Sequence, residues 1–277
     1  MIGGVFEMFI TDQHVHSHFS DDSTESLDMI IQKAIQLGMR AICITDHHDV
    51  DFPVQALDGM KFQLDIAAYE KELFEKKDKY VSQIDVRFGI ELGLMTGSKQ
   101  EIERVAGAYP FDYIIGSSHL VRGEDPYYPS YYEGRTEKQA YRLYFESIYE
   151  NLNNIKGYQS YGHLDYVVRY GPNKNENYFF NDYKDIFEVI LKKMIEDGIA
   201  LEVNTAGIAN GLGYAHPIPE VLTFYKQLGG ELITLGSDAH NASALGYEFE
   251  ATRTMLLAKG YRYYMEYADR KPKGILL

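Results

Sequence analysis

The stretch Ala41-Ile42-Cys43-Ile44-Thr45-Asp46-His47 decides the fold. Its four apolar residues are too few for a helix but enough for a buried strand, and polar residues follow at once. Upstream, Leu27, Ile30, Ile31, Ala34 and Ile35 recur on one helical face, and Gly38 supplies a left-handed stop. The local unit is therefore helix, turn, strand, polar end. Working outward, short apolar runs recur at 8–10, 86–90, 113–115, 158–161, 199–203 and 231–235. A second helix is expected after an Asp182 cap, with Ile186, Val189, Ile190, Met194 and Ile195 as its apolar face and Gly198 as its stop. Strand alternating with helix about seven times predicts the α/β class, with parallel strands and right-handed crossovers. No Pro/Ser-rich linker divides the 277 residues, so a single barrel over 1–277 is expected, with 1–7 as a peripheral extension.

Two segments break the rhythm. Residues 122–137 (RGEDPYYPSYYEGRTE) read as a long loop before a helix over 138–153, and residues 171–181 (GPNKNENYFFN) as a second loop. Loops that follow barrel strands build active sites, so both are candidate pocket walls. The tyrosines crowded into 127–149 are expected mainly to pack the long helix onto the barrel, with a lid over the substrate as the alternative.

Six of the nine histidines sit just past an apolar run: His14, His16, His47, His119, His163 and His240. Glu91 ends the run 86–90 in the same way. Parallel barrel strands all end at one face, so these imidazoles and carboxylates converge there. A His-x-His pair leaving a strand turns both rings to one side, because strand side chains alternate with period two. Bonds of roughly 2.0–2.1 Å require such closely spaced nitrogens. The donor set holds nitrogen and oxygen without sulfur, which suits Zn²⁺, Mn²⁺ or Fe²⁺. The one cysteine, Cys43, lies inside an apolar run and reads as a small buried hydrophobe.

Composition narrows the partners. With 27 basic and 41 acidic residues the net charge is −14, which repels a nucleic-acid polymer. No run approaches the roughly 18 apolar residues of a membrane span, and the first residues lack a signal-peptide pattern. A single cysteine fits a reducing compartment, so a cytoplasmic protein is expected, with a homo-oligomer left open.

The order DQHVHS (12–17), ITDH (44–47), GIE (89–91), GSSH (116–119), GHLD (162–165) and GSDAH (236–240) resembles the PHP (polymerase and histidinol phosphatase) superfamily. The stretches 117–120, 125–129 and 162–171 are similar to its histidinol-phosphate phosphatase branch in particular. The resemblance implies a distorted (β/α)7 TIM-like barrel with a metal cluster at the C-terminal ends of the strands. It implies two to three divalent ions. His14, His16, Glu91 and Asp238 would hold the first, and Glu91, His119 and His163 the second. His47, His240 and Asp22 would hold the third, with Asp21 as competitor to Asp22. It also implies hydrolysis of a small phosphomonoester, L-histidinol phosphate, with Arg169 clamping the phosphate.

On that resemblance Glu91, Asp238 and His240 would act through the ions they hold, which would supply an activated water as nucleophile and positive charge opposing that developing on phosphate. Arg122, Arg135 and Ser20 are further candidates for phosphate contact. His18 or Asp165 is the candidate general acid, while His48 and His216 read as ordinary loop residues. Two other readings stay open: a PHP phosphoesterase for a nucleotide or sugar phosphate, and a non-catalytic metal-stabilised scaffold. A nuclease would need a basic groove, and no Lys/Arg cluster is visible.

Overall fold

The computed structural model describes residues 11–53 and 60–277. The apolar run expected at 8–10 and the extension 1–7 lie outside the described residues. The strands are β1 (Ala41–Ile44), β2 (His47–His48), β3 (Asp85–Gly93), β4 (Tyr113–Ser117), β5 (Ser160–Tyr161), β6 (Ala200–Asn204) and β7 (Ile233–Gly236). All pair in parallel, in the order β1-β3-β4-β5-β6-β7, with β2 also on β3. β1 and β2 are one strand interrupted at Thr45-Asp46, since both run along β3 in continuous register.

Closure comes from residues 11–16. The Cys43 and Thr45 amides donate to the Asp12 and Val15 carbonyls, while the Gln13 and His16 amides donate to Leu235 and Ala239. That segment thus bridges β1 and the end of β7, giving seven positions around a curled parallel barrel.

Side chains alternate as the pleat demands. Cys43, Tyr113, Ile115 and Ala200 cluster inside, while Ile42, Ile44, Ile114, Leu201 and Val203 belong to the large core beneath the helices. Those helices are α1 (Leu27–Gln36), α2 (Ile66–Tyr80), α3 (Lys99–Ala108), α4 (Glu137–Asn154), α5 (Lys184–Asp197), α6 (Ala206–Ala209), α7 (Pro219–Gln227) and α8 (Phe249–Ala258). Helix α1 buries Leu27, Ile30, Ile31 and Ala34, with Ile35 half-buried, and Gly38 has φ 72°. Helix α4 opens on a reciprocal capping box between Thr136 and Gln139. Of the crowded tyrosines, Tyr131, Tyr141 and Tyr144 are buried in the core.

Helix α5 corrects two expectations. Asp182 does not cap it but accepts from Lys138 at 2.6 Å. Its buried face is Ile186, Phe187, Ile190, Leu191 and Met194, whereas Val189 is exposed and Ile195 half-buried. The face is rotated because aromatic residues on α4 and the 171–183 loop, Phe145 and Tyr183, pack against Phe187.

The chain ends in an antiparallel hairpin, β8 (Tyr263–Ala268) and β9 (Lys271–Leu276), that the apolar pattern did not announce. It closes the barrel at the amino ends of the strands. Gln13 bonds both Met265 and Tyr267 of its backbone, and the Tyr267 ring stacks on Tyr113.

Candidate metal centre

At the opposite end each strand delivers its polar residue. His14 and His16 leave the closing segment with ring centroids 5.0 Å apart. Glu91 is inward and fully buried on β3, and His47 opens β2. His119 follows β4, His163 follows β5, and Asp238 and His240 follow β7.

Glu91 is the hub. One oxygen lies 3.2 Å from His14 Nε2, 3.6 Å from His16 Nε2 and 2.8 Å from His47 Nδ1. The other lies 3.3 Å from His119 Nε2 and 2.9 Å from His163 Nε2, and accepts from Ser117 Oγ at 2.6 Å. Asp238 stands 3.2 Å from His16 and 3.7 Å from His240, on a left-handed backbone with φ 56°. Such backbone strain persists only where surrounding contacts fix it. Asp22 reaches His240 at 3.0 Å and His47 at 3.7 Å. Its neighbour Asp21 turns away to accept from the backbone amides of Lys61 and Phe62.

The cluster is electrostatically unfinished. Burial opposes ionisation of Glu91, yet His14, His119 and His47 together hold its carboxyl well below the usual range. Burial pushes His16 and His163 down, leaving neutral imidazoles with lone pairs to offer. His14 Nε2, His16 Nε2, His47 Nδ1 and Glu91 Oε2 are buried with no hydrogen bond among the described residues. Buried polar atoms are normally satisfied, so the chemistry of this convergence fits a cation-binding site. Donor atoms within 4.8 Å of one another form four overlapping sets: His14/His16/Glu91, His47/Glu91/His119, His14/His163/Asp238 and His16/His47/His240. Glu91 belongs to two of them.

Other carboxylates orient these rings. Glu202 on β6 takes His14 Nδ1 at 2.6 Å and the His163 amide at 2.7 Å. Asp49 takes His119 Nδ1 at 2.7 Å. Asp46 accepts from Ser17 and Ser20, pinning the His16 loop to the break between β1 and β2, and Asp12 accepts from Ser237 before Asp238. Fixing one ring nitrogen presents the other to a metal. Glu202 and Asp49 were not singled out from sequence. The signal for Glu202 was a carboxylate inside the apolar run 199–203.

Several sequence candidates fall elsewhere. Arg122 pairs with Glu150 and Arg135 with Glu124, both on the surface and outside the cavity wall. Ser20 Oγ is consumed by Asp46, the His47 amide and His16 Nδ1. His18 faces Glu72 at 3.5 Å. Asp165 is buried against His216 and the Ile218 amide, so neither general-acid candidate lines the cavity. His216, in the loop between α6 and α7, is accordingly a fully buried partner of Asp165 rather than an ordinary solvated residue. His48 holds the Leu64 amide.

Arg169 does face the cluster. Its guanidinium lies over the rings of Tyr166 and Tyr170, 4.1 and 5.1 Å from their centroids, with Nη1 3.6 Å from Asp238. These groups open into one cavity of about 460 Å³ whose other walls include Phe52, Phe62, Asp125 and Tyr127.

A parallel α/β barrel that gathers imidazoles and carboxylates at the carboxyl ends of its strands defines a metal-binding barrel protein. The model of the PHP domain matches residues 12–206, and the chain belongs to that family. A histidinol-phosphatase of Lactococcus lactis is 31% identical over 261 residues, 94% of this chain and 95% of that protein. A probable histidinol-phosphatase of Clostridium acetobutylicum is 31% identical over 87% of this chain and 90% of its own. The crystal structure of the L. lactis histidinol phosphate phosphatase, complexed with zinc, L-histidinol and phosphate, superposes with a TM-score of 0.87. It has 31% identity and covers 96% of this chain and 99% of that one. Among the described residues no helix is long and apolar enough to cross a membrane.

Proposed function

We propose that this chain is a metal-dependent phosphomonoesterase that hydrolyses L-histidinol phosphate to L-histidinol and phosphate. The observation that carries the reading is the meeting of Arg169 with the His/carboxylate cluster in a single cavity. The relatives' names and the ligands of the L. lactis crystal structure supply the substrate.

Two to three divalent ions, Zn, Mn or Fe, would be held by His14, His16, Asp22, His47, Glu91, His119, His163, Asp238 and His240. When bound, such ions supply an activated water and positive charge for the phosphate oxygens. The protein's own share is position. Arg169 presents a planar fork to phosphate, and its Nε has no hydrogen bond among the described residues. The flanking Tyr166 and Tyr170 rings hold that fork in place. Glu202 and Asp49 lock the His14 and His119 rings so that their other nitrogens stay on the cluster.

The test is turnover by metal-replete protein. L-Histidinol phosphate is expected to show a far higher kcat/KM than a generic aryl phosphate. Chelation is expected to abolish activity, and Zn, Mn or Fe to restore it. Equal kcat/KM for both esters, or a higher value on a nucleotide or sugar phosphate, overturns the assignment of substrate. No turnover of any phosphoester would leave only a metal-stabilised scaffold.

A further inference from the structure

The segment after β5 carries two groups that meet at one place, the His163 imidazole and the Arg169 guanidinium. Tyr166–Arg169 is a single 3-10 turn, and a turn so short has few bonds of its own to hold it. Its anchor is Asp165, which precedes the turn and is fully buried behind the cavity wall. His216 Nδ1 meets one Asp165 oxygen, and the Ile218 amide donates to the other at 2.8 Å. His216 is itself fixed: its backbone exchanges both hydrogen bonds with Asn204 at the end of β6, at 2.7 and 2.8 Å. Asn204 Nδ2 donates to Glu202 at 3.1 Å, and the same carboxylate oxygen accepts the His163 amide at 2.7 Å. These bonds close a ring that runs through Glu202, Asn204, His216 and Asp165 and returns to His163. The segment is thus held at two points, two residues apart, and Arg169 follows one turn later. His216 also packs under α6, for a Cβ on Gly207 would lie 3.2 Å from its Cδ2. Ala206 and Ala209 of that helix line the same cavity as Arg169.

We propose that Asp165 and His216 are positioning residues that set Arg169 against the phosphate without touching substrate. The inference rests on the reading of Arg169 as the phosphate contact and assigns what holds that contact in place. The guanidinium is flanked by Tyr166 and Tyr170, which belong to its own turn or follow it directly. Fork and turn therefore move together, and Asp165 fixes where the turn begins. What a buried pair of this kind supplies beyond apolar packing of equal volume is a fixed geometry. Geometry matters here, because a displacement of about 1 Å in a substrate-positioning group costs on the order of 100-fold in rate.

The test is a double-mutant cycle on zinc-loaded protein, with Asp165→Asn, Arg169→Met and the two combined. It is read by the dissociation constant of inorganic phosphate from calorimetry and by kcat/KM on L-histidinol phosphate. Asp165→Asn keeps the shape and is expected to weaken both by roughly 10- to 100-fold. In the Arg169→Met background the same change is expected to cost roughly twofold or less, because the group it positions is gone. His216→Asn, whose amide keeps a donor near the Nδ1 position, is expected to retain more activity than His216→Ala. Zinc content and unfolding midpoints are measured alongside, and each variant is expected to be folded and metal-replete at the assay temperature. Additive losses in the cycle, or loss of zinc or of fold in both Asp165→Asn and His216→Ala, overturn the inference and leave the pair a prop of the fold. The proposed function stands in those cases, since the parent still turns over. A parent that binds phosphate without hydrolysing L-histidinol phosphate overturns the substrate instead, and the phosphate-binding cycle still decides the inference.

Discussion

Glu202 occupies an inward position of β6, between Leu201 and Val203, whose side chains face the helices. Its carboxylate does not line the cavity; it spans His14 Nδ1 and the His163 amide and also accepts from Asn204 Nδ2 at 3.1 Å. Gly236 makes room for this contact, since a Cβ there would lie 2.4 Å from His14 Cβ and 2.7 Å from Glu202 Oε1. The consequence is measurable. Glu202→Gln retains the shape but weakens the hold on the His14 tautomer, and metal affinity or activity is expected to drop roughly 10- to 100-fold. Glu91→Gln removes the shared hub itself, so bound metal and kcat are expected to fall further than in Glu202→Gln. Metal analysis with kinetics checks both, and a fully active Glu91→Gln enzyme contradicts the central role given to Glu91. The histidines, Glu91 and Asp238 were legible in sequence because each follows an apolar run, whereas Asp22 was named only through the family resemblance. The residues that aim them were not, because Glu202 and Asp49 gain meaning only when strands far apart in sequence become neighbours.

At the scale of elements, stops were easier to read than faces. Gly198 ends α5 with φ 68° and ψ 26°, as its position after the periodic run implies. The face of α5 was misread because periodicity weighs Val189 like Phe187, and packing does not: Phe187 meets Phe145, while Val189 remains exposed. The terminal hairpin escaped for a related reason. Its inward residues alternate Tyr264 with Glu266, so a charge interrupts the apolar signal. Gly198 also permits a clean test. A Cβ there would meet nothing within 4 Å, so any cost of Gly198→Ala comes from the left-handed backbone alone. A loss of about 1 kcal/mol in unfolding free energy is expected, with metal content unchanged. Denaturant unfolding measures it, and a variant as stable as the parent would show that the helix ends differently.

Across the whole molecule, β3 links two charged ends of opposite character. Its inward residues are Arg87 near the hairpin, Gly89 in the middle and Glu91 at the cluster. At the cluster, ring nitrogens and one Glu91 oxygen lack hydrogen-bond partners among the described residues; at the hairpin, the buried charges of Glu266 and Arg87 meet each other. Glu266 accepts from Thr11 at 2.5 Å and Tyr264 at 2.8 Å on one oxygen, and on the other from Arg87 at 3.1 Å and from Arg40. One end is thus built to bind and the other to stay shut. Burial raises the Glu266 carboxyl, but these hydroxyls and guanidinium groups outweigh it and leave its pKa below the ordinary value. A carboxyl lowered in the folded state stabilises it above the unfolded pKa of about 4.3, and that contribution fades as pH falls through the folded pKa. Glu266→Gln is therefore expected to cost about 2–3 kcal/mol near pH 7, because Arg87 and Arg40 lose their shared counter-charge. The difference from the parent is expected to shrink below about pH 4, where the parent's own carboxylate takes up its proton. Unfolding midpoints of metal-free protein at the two pH values read this directly. A gap that stays the same in acid would mean that Glu266 holds the hairpin by shape and not by charge.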